Sequence, residues 1–142
     1  MKVIGFNFTK INAEILKSNT EKLKINAKMD ISSIDSLKSG MLNTGDEIVG
    51  VSFTYSLQYE PEFAKIELAG NVIFSIEPKI AKEVLKEWKD KKIQEEFKIS
   101  LFNVILRKSN LKALELEEEL GLPPHIPLPS LKKENASEKK ED

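Results

Sequence analysis

Residues 49–76 read VGVSFTYSLQYEPEFAKIELAGNVIFSI, and the period of this stretch decides the fold class. Val49, Val51, Phe53, Tyr55, Leu57 and Tyr59 take every second position, with Gly50, Ser52, Thr54, Ser56 and Gln58 between them. Successive side chains of a strand point to opposite faces, so the run has one apolar and one polar face. Glu60-Pro61-Glu62 then interrupts it. A second period-two run answers with Ala64, Ile66, Leu68, Gly70, Val72, Phe74 and Ile76, while Lys65, Glu67, Asn71 and Ser75 face the other way. Two such runs joined by a proline turn predict an antiparallel hairpin.

The reading extends in both directions. Upstream, Leu23, Ile25, Ala27, Met29 and Ile31 alternate with Lys22, Lys24, Asn26, Lys28 and Asp30, a strand with one wet face. Earlier still, Ile4, Phe6 and Phe8 alternate on even numbers and Ile11, Ala13 and Ile15 on odd ones. That phase change predicts a bulge near Thr9–Lys10. The stretch 32–46, rich in Ser, Thr and Gly, is expected to be a long loop carrying Leu37, Met41 and Leu42.

Downstream the period changes at Glu77-Pro78. Proline suits a first helical turn, and Ile80, Val84, Leu85 and Trp88 fall on one helical stripe. A longer helix carries Phe97, Leu101, Val104, Ile105 and Leu111; it either continues through Leu114, Leu116 and Leu120 or breaks at Ser109-Asn110. Gly121 ends it. The prolines at 123, 124, 127 and 129 force an extended segment docked by its apolar residues, and 132–142 reads as a disordered charged tail. Strands first and helices last is an α+β order: one domain over 1–131, a four-stranded antiparallel sheet covered on one face by two C-terminal helices. The other face stays open, either for oligomerisation and partners or simply solvated.

Composition removes several functions. Lys plus Arg number 22 against 23 Asp plus Glu, and Arg107 is the only arginine. A formal charge of −1 gives no general attraction for phosphate backbones, so no nucleic-acid partner is expected. There is no cysteine, no run of 18 apolar residues and no secretion signal at the start, which predicts a cytoplasmic protein without membrane insertion. The glycines are too scattered for a phosphate-binding loop. His125 stands alone between prolines on an exposed-looking segment and is read as structural. Glu115, Glu117, Glu118 and Glu119 read as the solvated side of a helix. No catalytic residue, metal site or cofactor is expected, and the protein is read as a non-enzyme that binds polypeptides.

The run Gly70-Asn71-Val72-Ile73-Phe74-Ser75-Ile76, the two helices, and then Leu120-Gly121-Leu122-Pro123-Pro124-His125-Ile126-Pro127-Leu128-Pro129 resemble, at a distance and in an archaeal-type form, the SecB family of export chaperones. The resemblance spans about Ile4 to Leu131. It implies a homotetramer, a dimer of dimers assembled through helices and edge strands, that holds unfolded or pre-export polypeptides in apolar grooves without ATP. By element, it places Met41, Leu42, Tyr55, Phe74, Trp88, Leu122 and Ile126 near a peptide-binding groove. The near-neutral charge departs from the acidic bacterial members and does not favour their charge-dependent docking to a translocation motor, and 112–120 has no counterpart in the family. Two other functions remain open: a dedicated scaffold for one partner, such as an antitoxin-associated chaperone, and a small enzyme or small-molecule carrier with a pocket between helix and sheet.

Overall fold

A computed structural model describes residues 1–17, 22–37 and 45–131. Four strands, β1 (Lys2–Ile15), β2 (Lys24–Leu37), β3 (Glu47–Glu60) and β4 (Ala64–Ile76), precede helices α1 (Pro78–Trp88) and α2 (Glu95–Leu120). They form one antiparallel sheet in the order β1-β4-β3-β2, so the predicted hairpin is its centre and the first two strands are its edges.

The alternation read from sequence becomes the core. Val49 through Tyr59 on β3 and Ala64 through Ile76 on β4 pair across the ladder and are buried on the face beneath the helices. Fully burying a side chain of this size is worth roughly 1.5–3 kcal/mol, so these central strands carry much of the apolar stabilisation. Phe74 packs against Phe97 of α2 with ring centroids 4.9 Å apart.

The expected bulge is present: the β1–β4 register shifts between Phe8 and Lys10, which keeps Phe6, Phe8, Ile11 and Ala13 on the core face despite the change from even to odd numbers. A second shift between Val3 and Gly5 turns Ile4 out of register; Val3, not Ile4, pairs with Phe74. The expected loop is shorter than read. β2 runs on through Ser32, Ser33, Ile34, Asp35, Ser36 and Leu37, because a bulge between Ile31 and Ser33 lets Ile34 enter the core opposite Val51. Met41 and Leu42 lie outside the described residues, as does the tail from 132.

Pro78 occupies the first turn of α1. α2 is a single 26-residue helix. Its start is capped by Gln94, whose side-chain oxygen accepts from the Phe97 N–H at 2.7 Å. It ends at Gly121, whose φ of 69° lies in the left-handed region open to glycine. Ser109-Asn110 does not break it. Its buried residues are Phe97, Leu101, Ile105, Ser109, Ala113 and Glu117, one row at a spacing of four, and Leu111 is exposed instead of joining them.

Candidate peptide-binding surface

The helices cover the middle of the sheet and leave its margins. Register places Ile11 opposite Leu68, Ala13 opposite Ile66 and Ile15 opposite Ala64, all on the helix-covered face. Ile11 is nevertheless 49% exposed and Ile15 46%, while Phe6 and Phe8 are half-buried beside Phe53. The other margin repeats this. Ile25, Met29 and Ile31 pair with Tyr59, Tyr55 and Phe53 but are themselves only half-buried. Two apolar strips, one on each edge strand, therefore flank the helical layer. α2 adds exposed Ile99, Leu106 and Leu111 on its outer sides. The opposite sheet face carries Leu37, Ile48 and Ile73 toward one end and is otherwise largely polar: Glu67 meets Lys10 at 3.2 Å and takes a hydrogen bond from Asn12 at 3.2 Å, and Ser52 donates to Asn71 at 2.9 Å. Hydrogen bonding to Lys10 and Asn12 holds the Glu67 carboxyl below its ordinary range.

The residues expected to line a groove are dispersed. Tyr55, Phe74 and Leu122 are 3%, 0% and 6% exposed and belong to the core, where the helices and the segment after α2 close over them. In the chain as described they present little or no accessible surface. Trp88 and Ile126 are half-buried and retain accessible surface, and the Lys91 ammonium sits 4.7 Å from the centroid of the Trp88 ring. Tyr55, Leu122 and Ile126 share one end of the sheet, whereas Phe74 pairs six residues further along β4, roughly 20 Å away.

What the sequence reading missed is a buried polar cluster that fastens the segment after α2. The Leu122 N–H donates to the Glu117 carbonyl at 2.8 Å, which turns the chain back along the helix. His125 then lands against Glu117: its backbone N–H donates to Oε2 at 3.1 Å, and Nδ1 donates to the same oxygen at 2.9 Å. The Tyr59 hydroxyl donates to Glu117 Oε2 and also lies 3.0 Å from the Pro123 carbonyl. His125 Nε2 lies 3.0 Å from Asn110 Oδ1, which accepts from the Tyr55 hydroxyl at 2.5 Å. The Glu117 and His125 side chains are 1% and 7% exposed, so these two depart from the solvated helix face and exposed segment expected, whereas Glu115, Glu118, Glu119 and residues 127–131 are exposed as read. The segment is held by polar groups, with Leu122 its one fully buried apolar residue; Leu128 and Leu131 are exposed. Among the described residues no group of three or more His, Asp or Glu is placed to share a metal ion.

Burial first, then the Glu117 charge, pushes the Tyr55 hydroxyl up to about 12, and the same causes with the Glu117 hydrogen bond raise Tyr59. A folded value above the unfolded value of 10.0 stabilises the fold fully below that pH and is lost as pH rises through about 12. Tyr55 and Tyr59 are the two tyrosines of the chain, so tyrosinate absorbance reports on this cluster alone. In a spectrophotometric titration, absorbance is expected to stay flat through pH 10 and to rise only with loss of structure. Ionisation of either tyrosine near pH 10 in the folded chain would contradict the geometry.

A four-stranded antiparallel sheet carrying two C-terminal helices on one face, with the chain strapped back over the second helix, is a SecB-like α+β fold. A solved structure of the Mycobacterium tuberculosis Rv1957 SecB-like chaperone, in complex with a ChAD peptide from the Rv1956 HigA1 antitoxin, superposes with a TM-score of 0.54 over 93% of this chain and 91% of that one, at 13% identity. That likeness shows the fold. No protein-family model and no curated protein matches the sequence. No helix among the described residues is long and apolar enough to cross a membrane.

Proposed function

We propose that the protein is an ATP-independent chaperone of the cytosol, a holdase that binds apolar segments of unfolded polypeptides. The observation that carries this reading is the pair of apolar strips left open on the helix-covered face of a SecB-like sheet, including Ile11 and Ile15 on one edge and Ile25, Met29 and Ile31 on the other. Strips several residues long suit an extended client, because weak apolar contacts spread along one chain add by avidity. An exposed edge strand and the apolar outer sides of α2 also suit assembly with further copies, which supports a homo-oligomer, a dimer of dimers.

The test is the solution mass together with protection of a chemically unfolded, aggregating client. A homotetramer that suppresses aggregation without ATP at near-stoichiometric amounts is the expected result. A monomer without effect at several-fold molar excess would sink the reading. The antitoxin peptide in the neighbouring structure favours one alternative, a dedicated chaperone for a single partner. Such a protein would bind one client tightly and protect no others.

A further inference from the structure

α1 carries a row of cations that its own stability does not ask for. Lys79, Lys82, Lys86 and Lys89 recur at spacings of three, four and three, which places them along one side of the helix over roughly 15 Å. All four are exposed, and none is in an ion pair among the described residues. Glu83 and Glu87 lie roughly a quarter-turn away around the axis. From Pro78 to Lys92 there are six lysines against three acids, leaving sixteen cations against twenty acids in the rest of the chain. The charge of this near-neutral protein is therefore uneven along the chain, with a net +3 over Pro78 to Lys92 against −4 in the rest.

Helix stability does not account for the row. Lysines in the last turn complement the helix dipole, which covers Lys86 and Lys89. Lys79 and Lys82 sit near the opposite end, where the dipole opposes positive charge, and the first turn has no acid to offset them. The row also borders a concavity. Lys82, Lys86 and Lys89 stand around half-buried Leu85 and line a notch of ≈ 380 Å³ with an apolar floor.

We propose that this surface of α1 selects client segments in which acidic residues flank an apolar one. Side chains on one face of an extended peptide recur about every 6.6 Å, so acids two residues either side of an apolar one share its face and stand about 13 Å apart, against roughly 10–11 Å of helix rise between Lys82 and Lys89. The two carboxylates reach Lys82 on one side and Lys86 or Lys89 on the other, while the apolar side chain between them on that face enters the notch over Leu85. A polyphosphate fits less well, since the stripe has no arginine and the remainder of the chain is acidic. The inference deepens the holdase reading and rests on it: it names the class of client that the chaperone prefers.

Fluorescein-labelled peptides repeating Glu-Ser-Leu-Ser, Gln-Ser-Leu-Ser and Lys-Ser-Leu-Ser (the Glu-Leu, Gln-Leu and Lys-Leu peptides), which place Leu and the tested residue on one face of an extended chain, with a single-stranded oligothymidylate, would be titrated against the full chain by anisotropy. The Glu-Leu peptide is expected to bind at least about tenfold more tightly than the Gln-Leu peptide at low salt, with the gap closing at high salt. K82Q/K86Q should abolish that preference, and K82E/K86E should turn it toward the Lys-Leu peptide. Both changes lie on an exposed helix face, and unchanged circular dichroism with unchanged protection of a neutral client would show that the variants fold and hold. Equal binding of the Glu-Leu and Gln-Leu peptides, or a preference that survives K82Q/K86Q, overturns the proposal, as does oligothymidylate binding as tightly as the acidic peptide. Lysine-dependent binding of the Glu-Leu peptide without protection of any client would sustain the acidic-segment site and refute the holdase reading.

Discussion

Replacing Glu117 by alanine is expected to cost the folded chain about 2–5 kcal/mol, because it removes the shared acceptor of several buried donors, each about 1–3 kcal/mol when left unpaired. A domain of this kind has about 5–15 kcal/mol in total, so the variant should lose a large share of its stability and unfold at clearly lower urea than the parent. The size of the effect follows from what is orphaned. Glu117 accepts from the Tyr59 hydroxyl, the His125 backbone N–H and His125 Nδ1. With the carboxylate gone, the two His125 donors lose their buried acceptor, while the Tyr59 hydroxyl keeps only the Pro123 carbonyl at 3.0 Å. Tyr59→Phe removes a single donor and should cost about 0.5–1.5 kcal/mol. H125A should cost nearly as much as E117A, yet the double variant should cost clearly less than the two together, because each single change destroys the same interaction. Urea denaturation of the four proteins measures this. An E117A midpoint close to that of the parent would mean that the strap is not fastened by this cluster.

The hairpin, the bulge near Thr9 and the position of Pro78 were readable because each rests on a local rule: period two, a change of phase, a fixed φ. Glu117 was misread because its neighbours Glu115, Glu118 and Glu119 are solvated, and a run of acids invites one interpretation for all of them. A signal was nonetheless present. Glu117 continues the row Phe97, Leu101, Ile105, Ser109 and Ala113, and a charge in the register of a buried row requires a partner inside. Asn110 stands seven residues before it, two turns along the helix, and so reaches the same histidine. The identity of that partner was not local. His125 meets Glu117 only because Gly121 reverses the chain, and the tyrosines come from β3 more than fifty residues away. Accessibility, too, follows from the whole sheet and not from single elements. Aromatic side chains were assigned to a surface by element, but in a sheet covered by helices the central strands are sealed and the accessible apolar area moves to the edges, where Ile11, Ile15, Ile25 and Met29 sit.

Gly70→Ala is the second large effect expected, and it tests how β1 is held. A Cβ at Gly70 would lie 2.4 Å from the backbone carbonyl oxygen of Asn7 and 3.0 Å from the Phe53 ring. Carbonyl oxygens of a paired strand cannot swing aside as a side chain can, so either β1 separates from β4 or the Phe53 ring leaves its place between Phe6 and Phe8. Overpacking of this kind costs about 1–3 kcal/mol, and contact with backbone puts Gly70 at the upper end. Two other strand glycines give the comparison. At Gly50 the nearest atom is the Leu37 Cδ1 at 2.8 Å, the far end of a flexible side chain, so G50A should cost less. At Gly5 the nearest atoms are at 3.5 Å, ordinary contact, and G5A should be neutral or stabilising by up to about 1 kcal/mol through the unfolded chain. Thermal or urea midpoints in the order G5A, G50A, G70A from most to least stable are the expected result, and a G70A midpoint equal to that of G5A would refute the close approach of β1. The series also bears on function: if β1 carries one of the apolar strips, G70A should lose protection of unfolded clients at temperatures where α1 and α2 remain helical by circular dichroism.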